Sequence, residues 1–327
     1  MNPYVVELNF CSPVHFGSKR LSDAKYTCTA DTIFSALFIE ALAHGSHEEL
    51  LHAVKSGDLL ISDAFPRIEE NYYLPKPRKI ASAQLDESKE RKQLSSIERK
   101  AFKNLSYLPV SEFSNFFNGT IDACRVNDSL RQGIGKSGMT TKVMLSKNDQ
   151  EFSGKNSNPE SAFPSAIRKP KPEPYQVGLF SFARESGLYF LVKGNIEILK
   201  PLLETLQFSG LGGKRSSGYG RFSFTIKEGV FDMPTIPNNY SMLLSIAAPR
   251  EDELSDSLLE DSAYSLVKRS GFVQSSSMTD AIFKKRDFFV FSSGSIFRNK
   301  FDGDVFNLAQ GCSHPVWRYS KAFWLEG

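Results

Sequence analysis

Between Phe208 and Phe222 the chain reads FSGLGGKRSSGYGRF, which puts five glycines and three cations into fifteen residues without one acid. Glycines allow positive φ and let a ligand approach the backbone closely. Successive N–H groups, here from Gly210, Gly212 and Gly213, can form an anion-binding concavity. Lys214, Arg215 and Arg221 add charge, Ser216 and Ser217 add hydroxyls, and Tyr219 offers a stacking face. A phosphate together with a base is the ligand this combination suits. The competing reading is a helix C-cap at Gly210 followed by an ordinary turn.

Two mononucleotide signatures fail on spacing. A P-loop needs G-x-x-x-x-G-K-[ST], but Gly213-Lys214 is followed by Arg215, and Phe208 stands where the first glycine belongs. The dinucleotide fingerprint fits Gly210 and Gly212 and then meets Arg215. Both motifs also want a preceding strand, whereas Ile196 to Leu206 reads as a helix.

A second group of reactive residues follows the first strand: His15, Phe16, Gly17, Lys19 and Arg20. An imidazole, an aromatic face and two cations make a fair RNA contact set. The same histidine could serve as general base for RNA cleavage, so contact, structural and catalytic roles all stay open. His44 and His47 lack a companion H-E-x-x-H pattern, and no metal or cofactor is assigned. The chain has no G-x-S-x-G, no His-Asp doublet and no Gly-Gly-Asp-Asp, so three common hydrolytic or polymerase sites are excluded.

The elements that must position these groups follow from periodicity. Tyr4, Val6, Leu8 and Phe10 alternate with Val5, Glu7 and Asn9, as in a half-buried strand. Asp31 is a candidate N-cap for a helix carrying Ile33, Phe34, Leu37, Phe38, Ala41 and Leu42 on its apolar side. A second helix is expected over Glu48 to Val54, a strand near Leu59 to Ser62, and extended chain over Tyr72 to Pro77. Mixed charges over residues 86–106 fit a solvated helix. Residues 127–174 are rich in Gly, Ser, Asn, Lys and Pro, which reads as a long irregular insertion. Strands resume at Val177–Phe182 and Leu188–Val192, and Phe222, Phe224 and Ile226 alternate in another. Further strands are expected within Met242–Ala247, Tyr264–Gln274 and Asp287–Phe291.

The 327 residues favour about two domains. A net charge of +3 does not diagnose a nucleic-acid binder, so any electrostatic case rests on local clusters. Cys11, Cys28, Cys124 and Cys312 show no C-x-x-C spacing, and no signal peptide or long apolar run is present. A reduced, cytoplasmic protein without a membrane segment is expected.

In this order the blocks resemble the RAMP subunits of type III-A CRISPR effectors, specifically the subunit-four family of the Csm complex. The resemblance rests on Val14-His15-Phe16-Gly17-Ser18, Ala30 to Leu37, and Asp63-Ala64-Phe65-Pro66 with Tyr73-Leu74-Pro75-Lys76-Pro77. The loop Ser209 to Phe222, Ser293 to Phe297 and His314-Pro315-Val316 complete it. It implies an α+β protein of two packed ferredoxin-like (RRM-related, RAMP) domains, divided as residues 1–175 and 176–327. It further implies a glycine-rich loop where the domains meet RNA and a thumb-like insertion at about 125–175. The function implied is non-catalytic: binding the 5′ repeat-derived handle of the crRNA in antiviral and anti-plasmid defence. The partners implied are the large polymerase-like (Palm/HD) subunit and the backbone RAMP subunit of the filament. One departure is that no paired-aromatic RNP stretch is present, so stacking is expected from Phe16 and Tyr219. A repeat-processing endoribonuclease shares the fold and a glycine loop, but its loop lies near the C terminus; here over a hundred residues follow. A protein–protein adaptor that never touches RNA is a second alternative.

Overall fold

The computed structural model describes residues 2–17, 20–78, 95–145, 172–237, 239–273, 284–311 and 314–326. Its centre is a seven-stranded antiparallel sheet. The amino-terminal strand Tyr4–Phe10 lies between Ser186–Gly194 and Phe222–Lys227. Along its other side Ser186–Gly194 pairs first with Leu59–Ile61 and then with Phe65–Ile68. Asn71–Pro75 and Tyr107–Pro109 continue the sheet outward.

The amino-terminal strand is buried on both faces, not one. Val6 and Leu8 pack with Leu188 and Phe190 against helices Ala30–His44, His47–Ser56 and Lys200–Ser209. Val5 faces the opposite way, with Tyr189 and Leu191, into a second core that holds Phe113, Phe116, Met242 and Phe323. The polar member Glu7 is buried too, where Tyr72 donates a 2.6 Å hydrogen bond and Lys227 an ion pair at 2.9 Å. Alternation predicts which residues share a face; it cannot tell that a second layer covers the polar one.

That second layer comes largely from the carboxy-terminal third. Ile296–Phe297, Ser241–Leu243 and Trp324–Leu325 form a three-stranded sheet, and Leu266–Arg269 pairs with Phe288–Phe291. Gly303–Asn307 pairs with Trp317–Lys321, whose Tyr319 hydroxyl donates to the Ile61 carbonyl and accepts from its N–H, both at 2.9 Å. Strands from both sides of residue 175 share the central sheet, so a division at that residue cuts between hydrogen-bonded partners.

Residues 146–171 of the expected irregular insertion lie outside the described residues, and the described parts on either side carry regular structure. Gly135–Leu145 and Pro172–Phe182 make an antiparallel ribbon that follows helix Ala123–Gly133. Its Gly, Thr and Lys content hid the strands because residues 136–142 and 174–176 present no buried side chain to impose alternation. Within residues 86–106, helix Ser96–Asn104 has no buried side chain and begins with a Ser95–Glu98 capping box, as a solvated helix should. Residues 86–94 lie outside the described residues.

Candidate nucleic-acid interface

Helix Lys200–Ser209 ends at Gly210, and the chain then doubles back on the loop that follows the amino-terminal strand. The backbone does the holding. Gly210 N–H donates to Leu206 O at 2.7 Å, Leu211 N–H to Gly220 O at 2.9 Å, and Gly213 N–H to His15 O at 2.9 Å. Gly220 N–H donates to Pro13 O at 2.9 Å. Of the N–H groups expected from the sequence to meet phosphate, those of Gly210 and Gly213 are therefore spent within the chain, as is that of Leu211 between them.

The glycines serve close packing instead. Gly212 has φ +103°, and a Cβ there would stand 2.9 Å from His15 O and 3.0 Å from the Phe16 ring. Gly220 has φ +80°, and its Cβ would stand 2.2 Å from Leu211 O. No side chain fits either place. Phe16 is part of this packing: it is buried in the main core, in a T-shaped contact with Phe10 at 6.0 Å. His15 is also buried. Its Nδ1 lies 2.7 Å from Gly178 O, and because a carbonyl only accepts, Nδ1 carries the proton and Nε2 is the acceptor in the neutral ring.

The side chains are what remain available. Arg215, Ser216 and Ser217 form a 3₁₀ turn, with both serines exposed. Lys214 Nζ sits 4.9 Å over the Tyr175 ring, and Lys142 Nζ sits 4.8 Å over the Tyr219 ring. Two cation–π pairs, one in each direction, thus tie the ribbon to the loop. Arg221 is exposed, as are Gly17 and Arg20; Lys19 lies outside the described residues. The structure brings His15, Phe16, Gly17, Gly212, Gly213 and Arg215 to one cleft of about 450 Å³. Arg20 and Arg221 do not line it.

The opposite wall of that cleft was not legible from local sequence. Asp31 is not an N-cap: Thr29 holds that position, and Asp31 lies buried in the first turn of helix Ala30–His44. Arg269 grips its carboxylate with Nε at 3.0 Å and Nη2 at 2.9 Å, and Arg318 Nη1 donates to the same group. Burial pushes the Asp31 carboxyl up, but the two guanidiniums and the Thr29 hydroxyl outweigh it and hold it below the usual range. The capping role passes to Asp63, a buried carboxylate from another segment. Its Oδ1 accepts from Ala30 N–H at 2.8 Å and from Ile246 N–H at 3.0 Å. Burial raises Asp63 to about 6, despite the hydrogen bonds from Ala30, Ile246 and Ser293 that favour its charged form. A signal did exist in the adjacency of Asp63 to Ala64-Phe65-Pro66, but no spacing rule connects it with Ala30 or Ile246.

This arrangement, two packed α/β layers with a glycine loop folded onto the first strand's exit, defines a class. Residues 7–223 match the RAMP superfamily, and residues 237–326 match the CRISPR Csm4 C-terminal domain. A Csm4 protein of Mycobacterium tuberculosis is 32% identical, with 99% of this chain and 98% of that protein covered. A Csm4 protein of Streptococcus thermophilus is 30% identical over 95% of each. The chain belongs to the Csm4 family. Among solved structures, a Csm3–Csm4 subcomplex of the type III-A interference complex is similar with a TM-score of 0.60 at 16% identity, covering 99% of both chains. A Csm1–Csm4 cassette with pppApA gives 0.57 at 21% identity, covering 99% of this chain and 97% of the other. At such identities these likenesses speak for the fold. Among the described residues, no helix is long and apolar enough to cross a membrane.

Proposed function

We propose that this chain is a non-catalytic scaffold subunit of a type III-A CRISPR effector that binds the 5′ handle of the crRNA. The carrying observation is the division of labour in the loop at residues 208–222. Its backbone is closed on itself and on Pro13–His15, while Lys214, Arg215, Ser216, Ser217, Tyr219 and Arg221 keep side chains at or near the surface. Cations beside an aromatic ring suit single-stranded RNA, whose bases stack and whose phosphates pair with Lys and Arg. In this reading the two layers are ferredoxin-like RAMP units and the ribbon at 135–182 is the thumb-like element. Relatives occur in complexes named Csm1–Csm4 and Csm3–Csm4, which supports docking to a large polymerase-like subunit and to a backbone subunit, in the cytoplasm.

The burial of His15, with Nδ1 committed to Gly178 O, speaks for a positioning role over general-base catalysis. The test is the salt dependence of handle binding by the assembled complex. Each phosphate contact on a single strand adds about 0.7 to the log–log slope. Lys214→Ala with Arg215→Ala is expected to flatten the slope by about 1 to 1.5. An unchanged slope would assign these cations to a protein partner. Metal-independent cutting of repeat RNA that vanishes in a folded His15→Ala protein would instead establish the endoribonuclease.

A further inference from the structure

The cleft beside the glycine loop carries more positive charge than its ion pairs use. Its walls include Lys25, Arg215, Arg269, Lys285 and Arg318 against two carboxylates, Asp31 and Asp63. Asp31 is taken by Arg269 and Arg318, and Asp63 Oδ1 by two backbone N–H groups. Arg215 reaches toward Glu40 only at 3.9 Å. Lys285 and Lys25 have no side-chain partner among the described residues.

Two further groups on the same walls point to a ligand. Arg318 is 6% exposed and spends Nη1 on Asp31, yet its Nε has no hydrogen-bond partner among the described residues. Ser292 Oγ is likewise buried and unpartnered. A buried charged donor without an acceptor is costly, and native structures rarely keep one without a reason. Lys285 sits close enough to Arg318 and Arg269 that burial first, and then their repulsion, pull its ammonium down, only partly offset by Asp31. A further anion in the cleft would relieve that repulsion, and a small turn of the Arg318 and Ser292 side chains, whose Nε and Oγ are covered in this structure, would bring both donors to it. At about 450 Å³ the cleft is of the size that takes small molecules.

We infer that Arg318 Nε, Lys285 Nζ and Ser292 Oγ form a phosphate-binding subsite in this cleft, for a phosphate of a bound RNA strand or of a free mononucleotide. It lies across the cleft from the glycine loop and rests on the RNA-binding reading only for the source of the phosphate. A guanidinium N–H, an ammonium and a hydroxyl supply three donors of the kind phosphate oxygens accept. Asp31 keeps the arginines in place and, being already doubly paired, adds little repulsion toward the newcomer.

Calorimetric titration of the full chain with adenosine 5′-monophosphate, inorganic phosphate and adenosine, alongside handle RNA at several salt concentrations, tests this. Lys285→Met keeps the aliphatic stem and removes the charge; Arg318→Lys keeps the charge and removes the orphaned N–H. Both are compared with wild type at equal melting behaviour. The nucleotide and phosphate are expected to bind and adenosine not, with Lys285→Met weakening the nucleotide about tenfold or more, as loss of a charge-assisted hydrogen bond implies. If Lys285→Met also lowers the RNA salt slope by about 0.7, the phosphate belongs to RNA. If the nucleotide is weakened and the RNA slope is unchanged, the site stands and its ligand is a free nucleotide. If RNA fails to bind while Lys285-dependent nucleotide binding persists, the RNA reading falls and the subsite survives. Nucleotide affinity unmoved in both variants, or no nucleotide and phosphate binding at all, overturns the inference.

Discussion

The two walls of the cleft are held in opposite ways. On one side the loop at 208–222 is fixed by backbone hydrogen bonds to Pro13, His15 and itself. On the other, helix Ala30–His44 meets the carboxy-terminal third through side chains: Asp31 with Arg269 and Arg318, and Asp63 with Ala30 and Ile246. A wall held by its backbone leaves side chains free to meet a ligand. A wall held by side chains commits most of its charged groups to the fold, and only what they leave over, such as Lys285, can meet a ligand. Charge alone would not distinguish the two, since both are basic.

The largest effect is expected where a committed side chain is removed. Asp31→Ala leaves the buried Arg318 and the half-buried Arg269 without their shared carboxylate. Breaking a buried pair from one side typically costs about 3–5 kcal/mol, so denaturant unfolding should show a loss of that order. A loss below about 1 kcal/mol would mean that this wall is not held by the pair.

The next effect is a pH dependence set by Asp63. Its carboxyl titrates near 6 in the fold against an ordinary 3.8. Between those values the folded state holds a proton that the unfolded chain releases, so stability from this group falls as pH rises from about 4 to about 6. The full swing is on the order of 3 kcal/mol at 1.36 kcal/mol per pH unit. Asp31, held low, acts with the opposite sign and only below about 4, so the two windows separate. Asp63→Asn should flatten the stability profile between about pH 4 and 6; a profile that keeps its slope assigns the dependence elsewhere.

The smallest pair of effects probes the backbone-held wall. Gly212→Ala must both adopt φ +103° and clear His15 O, whereas Gly218, at φ +81°, has no atom within 4 Å of an added Cβ. Gly212→Ala should therefore cost roughly 2–3 kcal/mol and Gly218→Ala about 1 kcal/mol, the bare left-handed penalty. Equal thermal shifts for the two would show that contact with His15 is not what requires Gly212.

This contrast also explains what could be read in advance. The elements near the loop were legible because their signals are local: Phe222, Phe224 and Ile226 alternate, and Ile196 to Leu206 carries helical spacing. The loop itself was conspicuous from composition, yet that the Gly210 and Gly213 N–H groups are spent within the chain was not legible, because glycine content reports conformational freedom and not the acceptor. The Asp31 and Asp63 wall stayed hidden because its partners are separated by up to 287 residues, and Asp31 looked like a capping residue in its own neighbourhood. Arg269, Lys285 and Arg318 sit in unremarkable surroundings until the fold gathers them.

The position of Tyr4–Phe10 sets a timetable for synthesis. This strand is made well before both of its neighbours, Ser186–Gly194 and Phe222–Lys227. At about 5–20 residues per second the nascent chain carries it unpaired for on the order of 10–40 s. With Val5, Val6 and Leu8 uncovered during that interval, this strand needs protection before its partners emerge, and the central sheet cannot close until Phe222–Lys227 has been translated.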